Sequence, residues 1–461
     1  MTKKVYLVTD LGPGDGGKGG VVHKICKMMC AHTIIKVGGA QGSHGVLTSR
    51  GEKFAFSQWG CGTFDGIKTH LSSLMVISPE GLLNEADELK YEYGIHNAFD
   101  LLTIDQRVLC ATPFHGIASR LKELARGNHP RGTIGSGVGE TYRMLERFPD
   151  LALRAINLSE ANLKERLITI REQIQRDLAE IIQADFLPAD QAEAQKEIRL
   201  LYDDDFLNFV VKRFKELSQR AKIVDPDFLG REILTKDGVA IVESSHGILT
   251  DRFYGFSPHT SALRTLPSLT QVMLNDAGFK EQTIKIGVHR AYEYRHGAGP
   301  MPTADSTMTE SLLPYSHKEE NRYQGKIRVG PLDLVLLRYA IEVCGGPNAF
   351  DGLAITWFDQ IQANGKWLVC DHYSNITDQT FFSPTGEIKV RCGTDEIQLA
   401  YQKNLGQQLL GCQPEILTYQ LPISKTQDDL YNFCDDVFRE KVGVRVRMLS
   451  FGPTEREKIC K

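Results

Sequence analysis

Between an apolar run, Lys4–Asp10, and a segment of helical periodicity lies the loop Gly12-Pro-Gly-Asp-Gly-Gly-Lys-Gly-Gly20. Six glycines there allow the backbone to approach phosphate oxygens closely, and the helix that follows presents unpaired N–H groups and partial positive charge. Val22, Ile25, Met29 and Cys30 recur at helical spacing and predict a helix over Val21–Ala31, and His32–Val37 reads as a second buried strand. Strand, loop, helix and strand in that order predict a right-handed crossover unit, a parallel sheet and an α/β fold.

Two regular motifs nearly fit the loop. Gly12-x-Gly14-x-x-Gly17 matches the dinucleotide fingerprint, but an acid is expected roughly 20 residues further on to hold a ribose. The second strand ends instead in Lys36-Val-Gly-Gly39, so a nicotinamide dehydrogenase is disfavoured. Gly12-x4-Gly17-Lys18 also resembles a P-loop whose Ser/Thr is replaced by Gly19. Lys18 is left for phosphate, and Asp15 for a metal. Beyond the second strand, Gly38-Gly-Ala-Gln41-Gly-Ser43-His44-Gly45 falls at the carboxyl edge of the expected sheet, where ligands of such folds bind. A histidine in that turn, beside a phosphate loop, is placed to act as an acid.

The rest of the chain supports a large folded enzyme. Hydrophobic residues make up 41% and charged residues 24% of 461 residues, and the net charge of -4 supplies no broad basic surface for nucleic acid. No stretch approaches ~18 uninterrupted apolar residues and no signal peptide opens the chain, so a cytoplasmic protein is expected. Ten cysteines without zinc spacing read as reduced thiols. Leu163, Leu167, Ile170, Ile174, Leu178 and Ile181 mark an amphipathic helix, and Asp190–Leu201 and Phe206–Ala221 read as two more. Residues 160–224 therefore read as a helical insertion with a solvated charged face. Further strands are expected at Gly238–Glu243, Thr283–Val288, Leu353–Phe358 and Trp367–Asp371, and a helix at Pro331–Val343. With no visible linker or repeat, 1–461 reads as one elaborated domain. His115, His129 and His259 lack metal-ligand spacing, and Cys61 reads as a packed small residue.

With these blocks in view, the chain resembles the adenylosuccinate synthetase family. That family's first loop reads Gly-Asp-Glu-Gly-Lys-Gly-Lys, against Gly14-Asp15-Gly16-Gly17-Lys18-Gly19-Gly20 here; its second reads Gly-Gly-His-Asn-Ala-Gly-His-Thr, against Gly38–Gly45. The likeness continues in family order through Val76–Pro79, Gly132–Gly139, Glu243–Gly247, Arg295–Thr303, Gly330–Asp333, Thr356–Asp359 and Ser450–Pro453.

The resemblance implies a P-loop-related fold with a large, mostly parallel central sheet and flanking helices. It also implies a two-step ligase, in which magnesium-bound GTP phosphorylates O6 of IMP and the amine of L-aspartate displaces that phosphate. Asp15 is then the base and a metal ligand, His44 stabilises charge on the bridging oxygen, Lys18 neutralises phosphate, and the Ser43 carbonyl is the second metal ligand. Gly14, Gly16, Gly17, Gly19, Gly20 and Gly45 shape the GTP site. Asp359 reads the guanine, Trp357 stands in place of a lysine beside the base, and Ser450 and Gly452 complete the pocket. The acceptor nucleotide is matched by Gln41, Thr133, His246 and Thr260, with Arg143 or Arg147 donated across a homodimer.

The chain also departs from the family. Gly16 and Gly20 replace a glutamate and a lysine, which is expected to leave more room and less charge near the base. The aspartate-binding stretch is reduced to Arg322-Tyr-Gln-Gly-Lys-Ile-Arg328, leaving Arg322, Lys326 and Arg328 for the carboxylates of the amine donor. A phage branch of the family acts on dGMP and carries a smaller residue at the position of Asp15. The retained Asp15 points to IMP, while Gly16 keeps dGMP open, as the thinned arginine cluster keeps open a nucleotide-binding relative without turnover.

Overall fold

The computed structural model describes residues 3–313, 323–376, 378–423 and 426–461. In chain order its strands are β1 (Lys4–Asp10), β2 (Thr33–Gly39), β3 (His44–Leu47), β4 (Lys53–Phe56), β5 (Lys68–Ile77), β6 (Leu102–Asp105), β7 (Leu109–Cys110), β8 (Lys222–Val224) and β9 (Val239–Gly247). They continue with β10 (Gln282–Arg290), β11 (Glu293–His296), β12 (Ile327–Gly330), β13 (Leu332–Asp333), β14 (Gly352–Thr356), β15 (Lys366–Ser374), β16 (Gln413–Gln420), β17 (Val446–Ser450) and β18 (Lys458–Cys460).

Eleven described strands form the central sheet in the order β18-β17-β14-β10-β1-β9-β2-β5-β6-β8, with β7 also paired to β5. All of its pairings are parallel except the edge pair β17–β18. Strand β1 sits inside the sheet, flanked by β9 and β10, and is apolar on both faces. Tyr6 and Val8 point into one core cluster, Val5 and Leu7 into another on the opposite face. This is the period-2 alternation of a strand covered by helices on both sides. It explains why Lys4–Asp10 reads as a continuous hydrophobic run.

The first helix, α1, spans Lys18–Met29, starting three residues before the expected Val21. Apolar periodicity could not reveal that start, because the first turn is Lys-Gly-Gly. Gly17 caps the helix with φ 90°, the left-handed conformation that glycine tolerates best.

In the middle of the chain, helices span Leu163–Asp177, Gln191–Tyr202 and Asp204–Arg220, with a short turn of helix at Ala179–Ile182. Leu163, Leu167, Ile170 and Ile174 are buried in the cluster that holds Tyr6 and Val8, while Lys164, Glu165, Glu172 and Arg176 are exposed. The segment is not only an insertion laid on the sheet. Its last residues, Lys222–Val224, pair with β6 and form the sheet edge, and its helices share the main core.

The expected helix at Pro331–Val343 begins at Leu334, where Asp333 accepts the N–H groups of Val335 and Leu336 and caps it. The run Trp367–Asp371 lies in β15, which pairs with β13 and β16 in a separate three-stranded sheet.

Candidate active site

Because β1, β2, β9, β10, β14 and β17 run the same way, the loops after them meet at one edge of the sheet. A cavity of about 640 Å³ opens there. Asp15 reaches it from the loop after β1, Gln41 and Ser43 from the loop after β2, and His44 from β3. His246 comes from the end of β9, Trp357 and Asp359 from the start of the helix Phe358–Asn364 that follows β14, and Ser450 and Gly452 from β17 and beyond. Gly14, Gly17, Lys18, Gly19, Gly20 and Gly45 complete the loop side of the wall. Residues distant in sequence are thus assembled by the parallel order, as expected at the carboxyl edge of such a sheet.

Behind the glycine loop stands a buried carboxylate that the sequence reading passed over. Asp10 accepts the N–H of Gly12 at 2.9 Å, the N–H of Gly16 at 2.8 Å and the Lys18 ammonium at 2.8 Å. Lys18 also donates to the His246 carbonyl at 3.0 Å, leaving one of its three N–H groups for a ligand. These contacts shape the loop and fix Lys18 at the first residue of α1.

The two glycine replacements do not open space as expected. A Cβ on Gly16 would meet Asp10 Oδ2 at 2.7 Å, so the close approach of Asp10 requires glycine there. Gly16 itself stands behind the cavity wall. Beside Gly20 the room is taken by Lys458, whose Cε and Nζ would lie 3.1 and 3.2 Å from a Cβ. Lys458 lines the cavity and donates to the carbonyls of Gly452, Pro453 and Thr454. A lysine from β18 therefore supplies positive charge beside a loop position that lacks it. Burial lowers its pKa to about 8.

A second polar cluster supports His44. Its Nδ1 lies 2.6 Å from Oε1 of Glu243, and the Lys36 ammonium lies 2.8 Å from the same oxygen. The N–H of Cys61 donates to the other carboxylate oxygen at 3.0 Å. Burial works against the charge on Glu243, but Lys36 and His44 together hold its carboxyl well below the usual carboxylate range. Burial outweighs the pull of Glu243 on His44 and lowers the imidazole to about 4. His44 is therefore neutral near pH 7, with its proton on Nδ1 toward the carboxylate. Its Nε2 is buried without a hydrogen-bond partner among the described residues.

His44, Cys61 and Glu243 are close enough together to suggest a metal site. The Lys36 ammonium on the same carboxylate opposes a cation there, and burial pushes the Cys61 thiol well up, away from a thiolate. The expected packed role of Cys61 fits this environment. Lys36 and Glu243 had a sequence signal: each is a charge that directly follows an apolar run within its strand, and they are register partners across β2 and β9.

Along the wall expected to take the acceptor nucleotide, Gln41 Nε2 donates to His246 Nε2 at 2.8 Å, and both line the cavity. Burial first, and then Lys18, lowers His246 to about 3, so it accepts as a neutral ring. Thr133, Arg143 and Thr260 lie off the cavity wall. Thr133 contacts Ser119 Oγ at 3.1 Å, and Arg143 is paired with Glu140 on its own helix, Val138–Arg147.

The stretch expected to supply the amine-donor cations is described only in part. Arg322 falls outside the described residues, Lys326 is exposed, and Arg328 donates to the carbonyls of Gly297 and Gly299 at 2.7 and 2.8 Å. From that stretch Gln324 reaches the cavity instead.

The sequence and fold were compared with known proteins. A family model described as adenylosuccinate synthetase matches residues 8–459. The chain is 25% identical over 470 aligned positions to the adenylosuccinate synthetase of Alkalilimnicola ehrlichii, covering 100% of this chain and 98% of that one. It is 28% identical to the adenylosuccinate synthetase of Porphyromonas gingivalis over 74% of this chain and 76% of that one. Among solved structures, the fully ligated adenylosuccinate synthetase of Plasmodium falciparum aligns with a TM-score of 0.74 at 18% identity, covering 99% of both chains. The succinoaminodeoxyadenylate synthetase of cyanophage S-2L, bound to dGMP and dATP, aligns with a TM-score of 0.58 at 14% identity, covering 100% of this chain and 96% of that one. The structural likenesses concern the fold, and the family model spans nearly the whole sequence: this chain belongs to the adenylosuccinate synthetase family.

Proposed function

We propose that this protein ligates L-aspartate to IMP at the expense of GTP, with magnesium, to give adenylosuccinate. The observation that carries this reading is the convergence of Asp15, Lys18 and His44 with Trp357 and Asp359 on one cavity at the carboxyl edge of the sheet. A phosphate-binding helix terminus, a base, an imidazole and a base-reading carboxylate are the parts that this chemistry needs.

Each side chain has a physical task. The purine amide oxygen is a weak nucleophile, and Asp15 takes the N1 proton so that O6 attacks the γ-phosphorus as an oxyanion. The N–H groups at the start of α1 and the remaining N–H of Lys18 receive phosphate charge. His44 acts on the bridging oxygen through Nε2, while Glu243 holds the ring by Nδ1. That role needs the imidazolium, and the phosphates of the bound nucleotides supply the negative field that raises its pKa. Asp359 pairs with the N1-H and 2-amino groups of guanine, which favours GTP over ATP.

The residues fit a hard divalent cation. The Asp15 carboxylate and the Ser43 carbonyl are oxygen donors on the cavity wall. Bound magnesium would neutralise phosphate charge.

The retained Asp15 favours IMP. dGMP is the second acceptor to test, because the fold is shared with the cyanophage enzyme. We assign the working form as a homodimer in which an arginine of Val138–Arg147 serves the partner's acceptor site. The reading is tested by phosphate release from magnesium-GTP. It requires that release depend on IMP and on Asp15, and that ATP be a poorer donor. Acceptor-independent hydrolysis alone would reject it.

A further inference from the structure

Arg290 is the last residue of β10, is 2% exposed, and does not line the cavity. Its guanidinium is nevertheless the meeting point of two elements that do. Its Cζ lies 3.7 Å from the ring centre of Trp357 and 3.8 Å from that of Tyr294. Its Nε donates to the carbonyl of Asp15 at 2.7 Å, and its Nη1 donates to the Tyr292 hydroxyl at 3.1 Å.

Both cavity residues held by this one side chain are strained. Asp15 has φ 58° and Trp357 has φ 56°, in the left-handed region that non-glycine residues avoid. Such conformations persist only where the surroundings over-determine them. The carbonyl of Asp15 is fixed by the Arg290 hydrogen bond, and the ring of Trp357 by cation–π contact with the same guanidinium. Trp357 also abuts the loop directly, since a Cβ on Gly17 would lie 2.7 Å from its Cζ3.

We propose that Arg290 is a positioning residue that locks the Trp357 ring as a wall of the nucleobase pocket and ties it to the phosphate loop at Asp15, so that base binding and triphosphate binding are coupled through one guanidinium. The inference rests on the assignment of this cavity to a nucleoside triphosphate. The geometry needs a planar cation with fixed N–H directions. Lysine, a point charge on a flexible stem, supplies neither the contact with both rings in one fixed geometry nor the hydrogen bond of Nε.

The test uses Arg290→Lys, Arg290→Gln and Trp357→Phe in the full-length protein. Trp59 and Trp367 are fully buried, so the emission difference between wild type and Trp357→Phe reports Trp357. Four results are expected. In the nucleotide-free protein, Arg290→Lys shifts the Trp357 emission. Arg290→Lys raises KM for GTP about tenfold or more while KM for the acceptor stays within about twofold. Inorganic tripolyphosphate, which has no base, inhibits Arg290→Lys less strongly than wild type but inhibits Trp357→Phe as it does wild type. Added to Arg290→Lys, Trp357→Phe has little further effect on KM for GTP.

Wild-type Trp357 emission and tripolyphosphate inhibition in a folded Arg290→Lys or Arg290→Gln protein would overturn the proposal. If magnesium-GTP leaves wild-type Trp357 emission unchanged, the nucleotide assignment fails instead. The hold of Arg290 on Trp357 is still read from the nucleotide-free spectra.

Discussion

His44 Nδ1 and Glu243 Oε1 lie 2.6 Å apart, and that contact joins the start of β3 to the middle of β9. The carboxylate is shared with Lys36, so the orientation of the imidazole depends on an ion pair that is fully buried on both sides. A buried pair contributes little relative to apolar packing when intact, but removing one partner strands the other charge. Glu243→Gln and Lys36→Met should each lower unfolding free energy by about 3–5 kcal/mol. Denaturant melts of the two single variants and the double variant check this. The double variant should be more stable than the sum of the singles predicts.

The same contact predicts a proton movement. His44 is held to about 4 in the free protein, whereas its proposed role on the bridging oxygen needs a charged ring. Binding of GTP and IMP at pH 7 should therefore take up close to one proton (about one) at His44. Calorimetry in buffers of different ionisation enthalpy measures this as wild type minus His44→Gln. No difference between the two would mean that His44 works as a neutral ring.

Asp15→Asn retains the shape of the loop and removes the base. Phosphate release in the presence of IMP should fall by about 10²–10⁴, and KM for magnesium-GTP should rise as well because the metal loses a charged oxygen donor. Steady-state kinetics with a coupled phosphate assay separates the two effects.

Lys458 gives a pH signature of its own. Burial lowers its pKa from the ordinary 10.5 to about 8, so the ammonium beside Gly20 loses its charge as pH rises through 8. KM for GTP should rise several-fold between about pH 7.5 and 9, and Lys458→Arg, which stays charged, should lack that rise. Stability should move the other way. The unfolded chain keeps this proton up to a higher pH than the folded one, so the contribution of Lys458 to stability grows as pH rises from about 8 to 10.5. Weaker binding without a falling Tm distinguishes the effect from alkaline unfolding.

Much of this site was legible in the sequence, and the reasons are local. Lys4–Asp10 is an apolar run bounded by a glycine loop, and it is a strand over those same residues. Asp15 and Ser43 sit in short loops directly after strands, and Lys18 and His44 open the elements that follow those loops, so the parallel order alone carries them to one edge. Trp357, Asp359, Ser450 and Gly452 arrive by the same rule from far along the chain.

The rest depended on packing that no periodicity reports. Asp10 is the terminal residue of a buried strand, and its three contacts appear only when the loop folds back over it. Lys458 occupies the room beside Gly20 from the last strand of the sheet. Gly16 reads as an enlargement of the site, yet its missing side chain accommodates Asp10. The Nη2 bonds of Arg328 to the carbonyls of Gly297 and Gly299 brace a turn that the spacing of its stretch does not announce.

The most direct test of the whole account is the mass of the product. The protein is incubated with magnesium-GTP, L-aspartate and, separately, IMP, dIMP, GMP and dGMP, and the nucleotides are analysed by mass spectrometry. The account predicts an aspartate-dependent succinyl adduct of IMP, formed with release of phosphate. An adduct of dGMP with none of IMP, or tight nucleotide binding with no adduct of any acceptor, would contradict it.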